Sequence, residues 1–174
     1  MKAVFLDRDG TIIVDPPDER VDSASKITLF PDTIEALRLL ARLDYGVFLI
    51  TNQAGIAEGR ISKKDFGLIN HAVLQELAPS GVHIIRTYVC PHSPADNCGC
   101  RKPHPTLLLQ AAREFNIDLV HSWMVGDRQS DVMAGVNAGT KTILVKTANI
   151  PATVPEATYT APHLLDAIHY IETN

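Results

Sequence analysis

Met1-Lys2-Ala3-Val4-Phe5-Leu6-Asp7-Arg8-Asp9-Gly10-Thr11 opens the chain. The apolar, β-prone run from Ala3 to Leu6 stops at two acids two residues apart, and Gly10 then permits a sharp turn. A strand cannot bury neighbouring charges cheaply, so Asp7 and Asp9 belong at its carboxyl end, facing a solvent crevice. In an α/β sheet that edge is where ligands bind. Two carboxylates there can hold a divalent cation, and one can act as nucleophile while the other moves protons. A strand followed by an acidic turn leaves the same short trace, so the rest of the chain has to decide.

Downstream, Thr11 to Phe30 is rich in Asp, Pro and Ser and reads as an excursion at the crevice mouth with a short hairpin. Pro31 and Asp32 open a helix with Ile34, Leu37, Leu40 and Ala41 on its apolar face and Gly46 after its end. Val47 to Ile50 is a second buried strand, running into Thr51-Asn52-Gln53-Ala54-Gly55. Ser62 and Asp65 form a capping-box-like start to a helix that carries Phe66, Ile69, Val73, Leu74 and Leu77. Val82 to Val89 is a third strand and Thr106 to Phe115 a helix, with Leu107, Leu108, Ala111 and Ala112 on one side. Ser122 to Val125 is a fourth strand, ending in Gly126-Asp127. Ser130 to Ala138 is a short helix closed by Gly139, Thr142 to Val145 a fifth strand, and Leu164 to Ile171 a tail helix. Strands alternating with helices predict an α/β fold: a three-layer, doubly wound parallel sheet.

The 174 residues read as one domain, 1–174, with an ordinary 45% hydrophobic and 21% charged content. A net charge of -4 offers no basic field for nucleic acid or anionic lipid. No apolar stretch has signal-peptide or membrane-span length, so the expectation is a cytoplasmic protein.

Three strand ends carry polar clusters: Asp7/Asp9, Thr51/Asn52 and Gly126-Asp127. In a parallel sheet these ends share one edge, where Lys102 can join them. Asp7 and Asp127 can ligate a hard cation, Mg2+ above all. Asp131 either orients that shell or serves as a helix N-terminal charge. Metal, lysine, the Thr51 hydroxyl and the amides after it would make a phosphate cradle, neutralising charge that develops when a carboxylate attacks phosphorus.

All three cysteines fall in Cys90-Pro-His92-Ser-Pro-Ala-Asp-Asn-Cys98-Gly-Cys100. An odd number beside a histidine is poor arithmetic for disulfides. Cys90, His92, Cys98 and Cys100 suit a tetrahedral, structural Zn2+ that fixes loop 90–100 and the neighbouring Arg101-Lys102. Unliganded thiols are the alternative. The other histidines show no ligand spacing, and His104 alone lies close enough to Lys102 to touch substrate.

The pattern resembles the haloacid-dehalogenase-like hydrolase superfamily over nearly the whole chain. Asp7-Arg8-Asp9-Gly10-Thr11 matches its first motif, Thr51-Asn52 the second, Lys102 the third, and Gly126-Asp127 with Asp131 the fourth. The resemblance implies a Rossmann-like fold, with Asp7 the nucleophile that forms an aspartyl-phosphate. Asp9 would be the proton donor and then base, with Thr51, Asn52 and Lys102 in the catalytic set and Mg2+ on Asp7, Asp9 and Asp127. Arg8 occupies a motif position whose side chain commonly faces away from the chemistry and takes no catalytic role. Neither 11–50 nor 52–101 has room for a large cap domain, so specificity should rest on three loops: Asp15–Phe30, Ala54–Ile61 and the cysteine loop.

The cysteine loop followed by Arg101-Lys102-Pro103 looks like the branch of heptose-bisphosphate and histidinol-phosphate phosphatases. Thr51 to Ala57 with Gly59-Arg60, and Met124 to Thr147, resemble the heptose enzymes. Val14-Asp15-Pro16-Pro17, Val21-Asp22 and Pro94-Ala95-Asp96 are closer to the histidinol enzymes. More positions favour the first, which implies removal of the C7 phosphate of D-glycero-D-manno-heptose 1,7-bisphosphate. Thr51, Asn52, Gln53, Arg60, Arg101 and Lys102 are then the candidate substrate contacts, with Arg60 and Arg101 facing the second phosphate or standing as solvated surface arginines. A monomer acting on a small phosphorylated metabolite, away from nucleic acid and membranes, is the corresponding expectation. A nucleic-acid 3′-phosphatase or a non-catalytic binding protein are the more distant readings.

Overall fold

The computed structural model describes residues 1–17, 21–146 and 154–174. At its centre lies β1 (Ala3–Leu6), every residue of which is buried. Side chains alternate across a strand. Val4 and Leu6 therefore join one core, with Val47, Leu49, Val125 and Ile143, while Ala3 and Phe5 join the other, with Phe48, Ile50 and Met124. A run apolar on both faces is what a central parallel strand needs, because helices cover it from both sides.

The other strands are β2 (Gly46–Asn52), β3 (Ile84–Cys90), β4 (Trp123–Gly126), β5 (Lys141–Val145) and β6 (Tyr159–Ala161). They form one sheet in the order β3-β2-β1-β4-β5-β6, parallel throughout. The helices are α1 (Thr33–Leu40), the short α2 (Ala54–Ala57), α3 (Lys63–Leu77), α4 (Thr106–Phe115), α5 (Gln129–Ala138) and α6 (Leu164–Thr173). Leu37 and Leu40 of α1, Val73 and Leu77 of α3, and Ile168 and Ile171 of α6 fill the first core. Leu107, Leu108 and Ala111 of α4, with Ala134 and Ala138 of α5, fill the second. Three layers result, as the alternation of elements predicts. The strand order reverses between β1 and β4, and in such sheets the crevice at the carboxyl ends of the strands opens there.

Several boundaries differ from the sequence reading. The hairpin in 11–30 is reduced to an Ile13–Leu29 antiparallel bridge with two hydrogen bonds, from the Val14 N–H to the Thr28 carbonyl at 2.8 Å and from the Phe30 N–H to the Ile12 carbonyl at 3.3 Å. Residues 18–20 of that loop, and Thr147, lie outside the described residues. Helix α1 stops at Leu40, Ala41 is exposed, and Gly46 starts β2 instead of closing the helix. A Cβ at Gly46 would sit 3.0 Å from Ile85 Cδ1 and Met1 Sδ, so the glycine there serves packing. Strand β2 runs on to Asn52 because its ladder with β3 continues through Thr51–Val89 and Asn52–Cys90. β3 starts at Ile84, not Val82.

Strand β6 had no sequence signal: it is three residues on the sheet edge, held where Tyr159 stacks on Tyr170 at 4.0 Å. Among the described residues, the β1–β2 connection contains α1 and loops, the β2–β3 connection contains α2, α3 and loops, and no cap domain stands over the crevice. No helix among them is long and apolar enough to cross a membrane.

Candidate active site

β1 delivers Asp7, β4 delivers Asp127, and the first turn of α5 delivers Asp131. Carboxylate oxygens of all three lie within 4.8 Å of one another. The Lys102 ammonium sits among them, 2.5 Å from Asp7 Oδ1, 2.6 Å from Asp131 Oδ1 and 2.8 Å from the Ile50 carbonyl oxygen. All four side chains are buried. Two glycines make room for them. Gly10 has φ +86°, and a Cβ there would fall 2.3 Å from Asp127 Oδ2; a Cβ at Gly126 would fall 2.4 Å from Asp131 Cγ. Thr11 Oγ1 donates to Asp127 at 3.2 Å, and the Arg128 N–H donates to Asp131 at 2.9 Å. Asp131 thus serves at the helix N-terminus, and it also pairs with Lys102, a contact the sequence did not indicate.

Burial raises the Asp7 carboxyl to about 7, against the pull of Lys102 and with the added repulsion of Asp131. Asp127 is raised further, to about 9, by burial and then by the charges of Asp7 and Asp131. Burial alone would lower the Lys102 pKa, but Asp131 and Asp7 hold it above its usual value. Ionised together, three buried carboxylates would outnumber the one ammonium, so Asp7 and Asp127 keep their protons to higher pH. An all-oxygen set of that kind fits a hard divalent cation, which would relieve the repulsion between Asp7 and Asp127.

The Asp9 side chain departs from the expected ligand set. Its carboxylate is not part of the three-acid cluster. Arg8 Nε donates to its Oδ1 and Arg8 Nη2 to its Oδ2, each at 2.9 Å, and Gln53 Nε2 donates to Oδ2 at 2.6 Å, so Oδ1 keeps one lone pair that can carry a proton. The same Gln53 amide donates to Thr51 Oγ1 at 2.8 Å. Thr51 is buried and lines the crevice. Asn52 is pinned to the chain around Lys102: its Oδ1 accepts from the Lys102 N–H at 3.1 Å and its Nδ2 donates to the Lys102 carbonyl at 3.3 Å. Its place is therefore to hold the lysine.

A cavity of about 590 Å³ opens from this cluster. All three expected loops line it, through Asp15 and Val21, Arg60 and Ile61, and Pro94, as does Arg101 just after the third. Arg60 pairs with Glu58 at 2.9 Å, and Arg101 donates to the His92 carbonyl at 3.2 Å. Arg128, which the sequence reading missed, also lines the cavity and pairs with Asp15 at 3.0 Å. Its place directly after Asp127 was the available signal. His104 is exposed and does not line the cavity, because its side chain leaves the turn after Lys102 on the solvent side.

Cys90, His92, Cys98 and Cys100 also come together. Their neighbouring donor atoms are 3.2–3.7 Å apart, and the cysteines are free thiols. A tetrahedron with metal–sulfur bonds of about 2.3 Å has edges of about 3.8 Å, close to these separations. Burial works to raise the Cys98 thiol, yet the N–H groups of Cys100 and Arg101 bring it down to about 6, which favours a thiolate.

Comparison with known proteins agrees with this arrangement. Residues 99–168 match the HAD-hydrolase-like family model. The chain is 38% identical over 172 residues to the D-glycero-β-D-manno-heptose-1,7-bisphosphate 7-phosphatase of Helicobacter pylori strain J99, covering 98% of this chain and 97% of that one. It superposes on the D,D-heptose 1,7-bisphosphate phosphatase of B. bronchiseptica, complexed with magnesium and phosphate, with TM-score 0.91 and 31% identity over 99% of both chains. The bifunctional histidine biosynthesis protein of Legionella pneumophila is 36% identical over 138 residues, which is 79% of this chain but 39% of that protein. The chain therefore belongs to the haloacid-dehalogenase-like phosphatases, a class of phosphoric monoester hydrolases, within the family of the heptose-1,7-bisphosphate 7-phosphatases.

Proposed function

We propose that this protein is a Mg2+-dependent phosphomonoesterase that removes the C7 phosphate of D-glycero-D-manno-heptose 1,7-bisphosphate. The observation that carries this reading is the buried Asp7–Lys102–Asp131 contact beside Asp127, with contacts of 2.5 and 2.6 Å, at the foot of an open cavity. An Asp7 oxygen attacks phosphorus and the bond from phosphorus to the C7 oxygen breaks, while Asp9 gives its proton to the departing oxygen. Water then attacks the phosphorus of the aspartyl-phosphate and passes a proton to Asp9. The bond to Asp7 breaks and inorganic phosphate leaves, restoring both acids.

Lys102 and the Thr51 hydroxyl face the transferring oxygens. Thr51 accepts a hydrogen bond from Gln53, which leaves its own O–H free to donate. Asn52 and Asp131 hold Lys102 in place. Asp7 and Asp127 would hold Mg2+, which when bound would supply the charge neutralisation that the site's own side chains lack. Cys90, His92, Cys98 and Cys100 would hold Zn2+, which when bound would stiffen loop 90–100 within a single domain, 1–174.

Arg60, Arg101 and Arg128 around the cavity suit a substrate with a second phosphate. The substrate is a small metabolite, met in the cytoplasm by a monomer; the net charge of -4 supports only the part of this reading that leaves out nucleic acid and anionic lipid. A second reading, histidinol phosphate, is favoured by Asp15-Pro16-Pro17 and Pro94 at the cavity, segments closer to the histidinol enzymes. The test is kcat/KM with Mg2+ for heptose 1,7-bisphosphate and L-histidinol phosphate side by side. We expect the bisphosphate to win by at least ~10²-fold, since a substrate without the second phosphate forgoes charge-assisted hydrogen bonds together worth a few kcal/mol. A preference for histidinol phosphate would overturn the substrate.

A further inference from the structure

Arg8 is fully buried, at 0% exposure, although a charged side chain at that depth needs compensation. Its guanidinium carbon lies 5.5 Å from the centre of the Phe66 ring on α3. Its Nε and Nη2 form a fork on the two oxygens of Asp9, both at 2.9 Å. Nη1 is buried with no hydrogen-bond partner among the described residues. Asp9 is thus the one carboxylate among them that answers this charge. The Asp9 side chain remains 22% exposed and borders the cavity, whereas Arg8 does not. Through Gln53 the carboxylate is tied on to Thr51, so a chain of bonds runs Arg8–Asp9–Gln53–Thr51.

We propose that Arg8 is a positioning residue for the proton-transferring Asp9. The buried guanidinium fixes both oxygens of Asp9 at the cavity wall, in register with the hydroxyl that meets the phosphate. This rests on the proposed acid–base role of Asp9 and adds to it the group that orients Asp9. A bidentate fork sets the plane of a carboxylate in a way that a single ammonium does not. Arg8 reaches no substrate, so its removal should spare binding and slow the step in which the leaving oxygen takes its proton. That demand scales with the basicity of the leaving oxygen: a sugar alkoxide needs the proton and a nitrophenolate barely does.

The test compares Arg8→Met, Arg8→Lys and Asp9→Asn on heptose 1,7-bisphosphate and on p-nitrophenyl phosphate, with Tm measured for each. Arg8→Met keeps the apolar packing against Phe66 and leaves Asp9 with Gln53 and water, so it should fold with a Tm near that of the parent. In single-turnover quench the rate of phosphoryl transfer to Asp7 should fall at least ~10-fold with the sugar phosphate, with its half-saturating concentration within about 2-fold, and less than ~3-fold with the aryl ester. Hydrolysis of the aspartyl-phosphate is common to both substrates and is read separately. Arg8→Lys should recover part of the loss. Equal losses of this transfer rate on both substrates, or no loss of it on the sugar phosphate, would overturn the role of Arg8. If Asp9→Asn itself fails to distinguish the two leaving groups, the acid–base reading of Asp9 falls, and the role of Arg8 falls with it.

Discussion

Asp7 and Lys102 are 95 residues apart in sequence and 2.5 Å apart in space. Their meeting was legible because each acid or polar cluster interrupts a β-prone run, and a parallel sheet brings such interruptions to one edge. The fork of Arg8 on Asp9 was not legible, since sequence does not say which face of the turn a motif arginine takes. Nor was the displacement of the Asp9 carboxylate from the acidic cluster. At this scale Asp7→Asn should lower kcat by at least ~10³-fold in a protein of unchanged fold, checked by steady-state assay and circular dichroism. Gly10→Ala should be as harmful by another route. It combines φ +86° with a Cβ 2.3 Å from Asp127, so crystallography should find Asp127 displaced and the assay should find Mg2+ affinity reduced.

The elements that position the site were read well where burial on both faces left unbroken apolar runs, as in β1, β2 and β4. They were read poorly at edges. Strand β6 is three residues whose pairing comes from the neighbouring strand and from Tyr170, neither visible in a local window. The cysteine loop was legible from spacing alone, and its metal is open to measurement. The purified protein should contain near-stoichiometric zinc, and Cys98→Ser should lose it, lowering Tm and raising KM more than it lowers kcat. Helix α4, which follows directly from the Lys102 turn, is anchored by the fully buried Leu108. Leu108→Ala should cost about 2–5 kcal/mol in urea unfolding, with kcat per folded molecule largely preserved.

The whole molecule folds around three buried carboxylates that face one ammonium, a set whose full ionisation a bound cation would favour. Asp7 and Asp127 titrate near 7 and 9 in the fold and near 4 when exposed in the unfolded chain. With folded pKa values above the unfolded ones, their contribution to stability is intact below about pH 4. It is lost progressively as pH rises through 7 and 9. In Mg2+-free buffer, Tm should therefore fall between pH 5.5 and 9. Added Mg2+ should raise Tm, and by more at pH 9 than at pH 5.5. An equal increment at both pH values would mean that the ion does not bind at these carboxylates.

The most direct test of the chemistry is to quench the Mg2+-loaded protein within milliseconds of mixing with heptose 1,7-bisphosphate and to map the peptides by mass spectrometry. The account predicts one acid-stable, hydroxylamine-labile phosphoryl group on the peptide bearing Asp7, absent from Asp7→Asn. Turnover of the same substrate with no phosphoryl group on Asp7 at any quench time would contradict it.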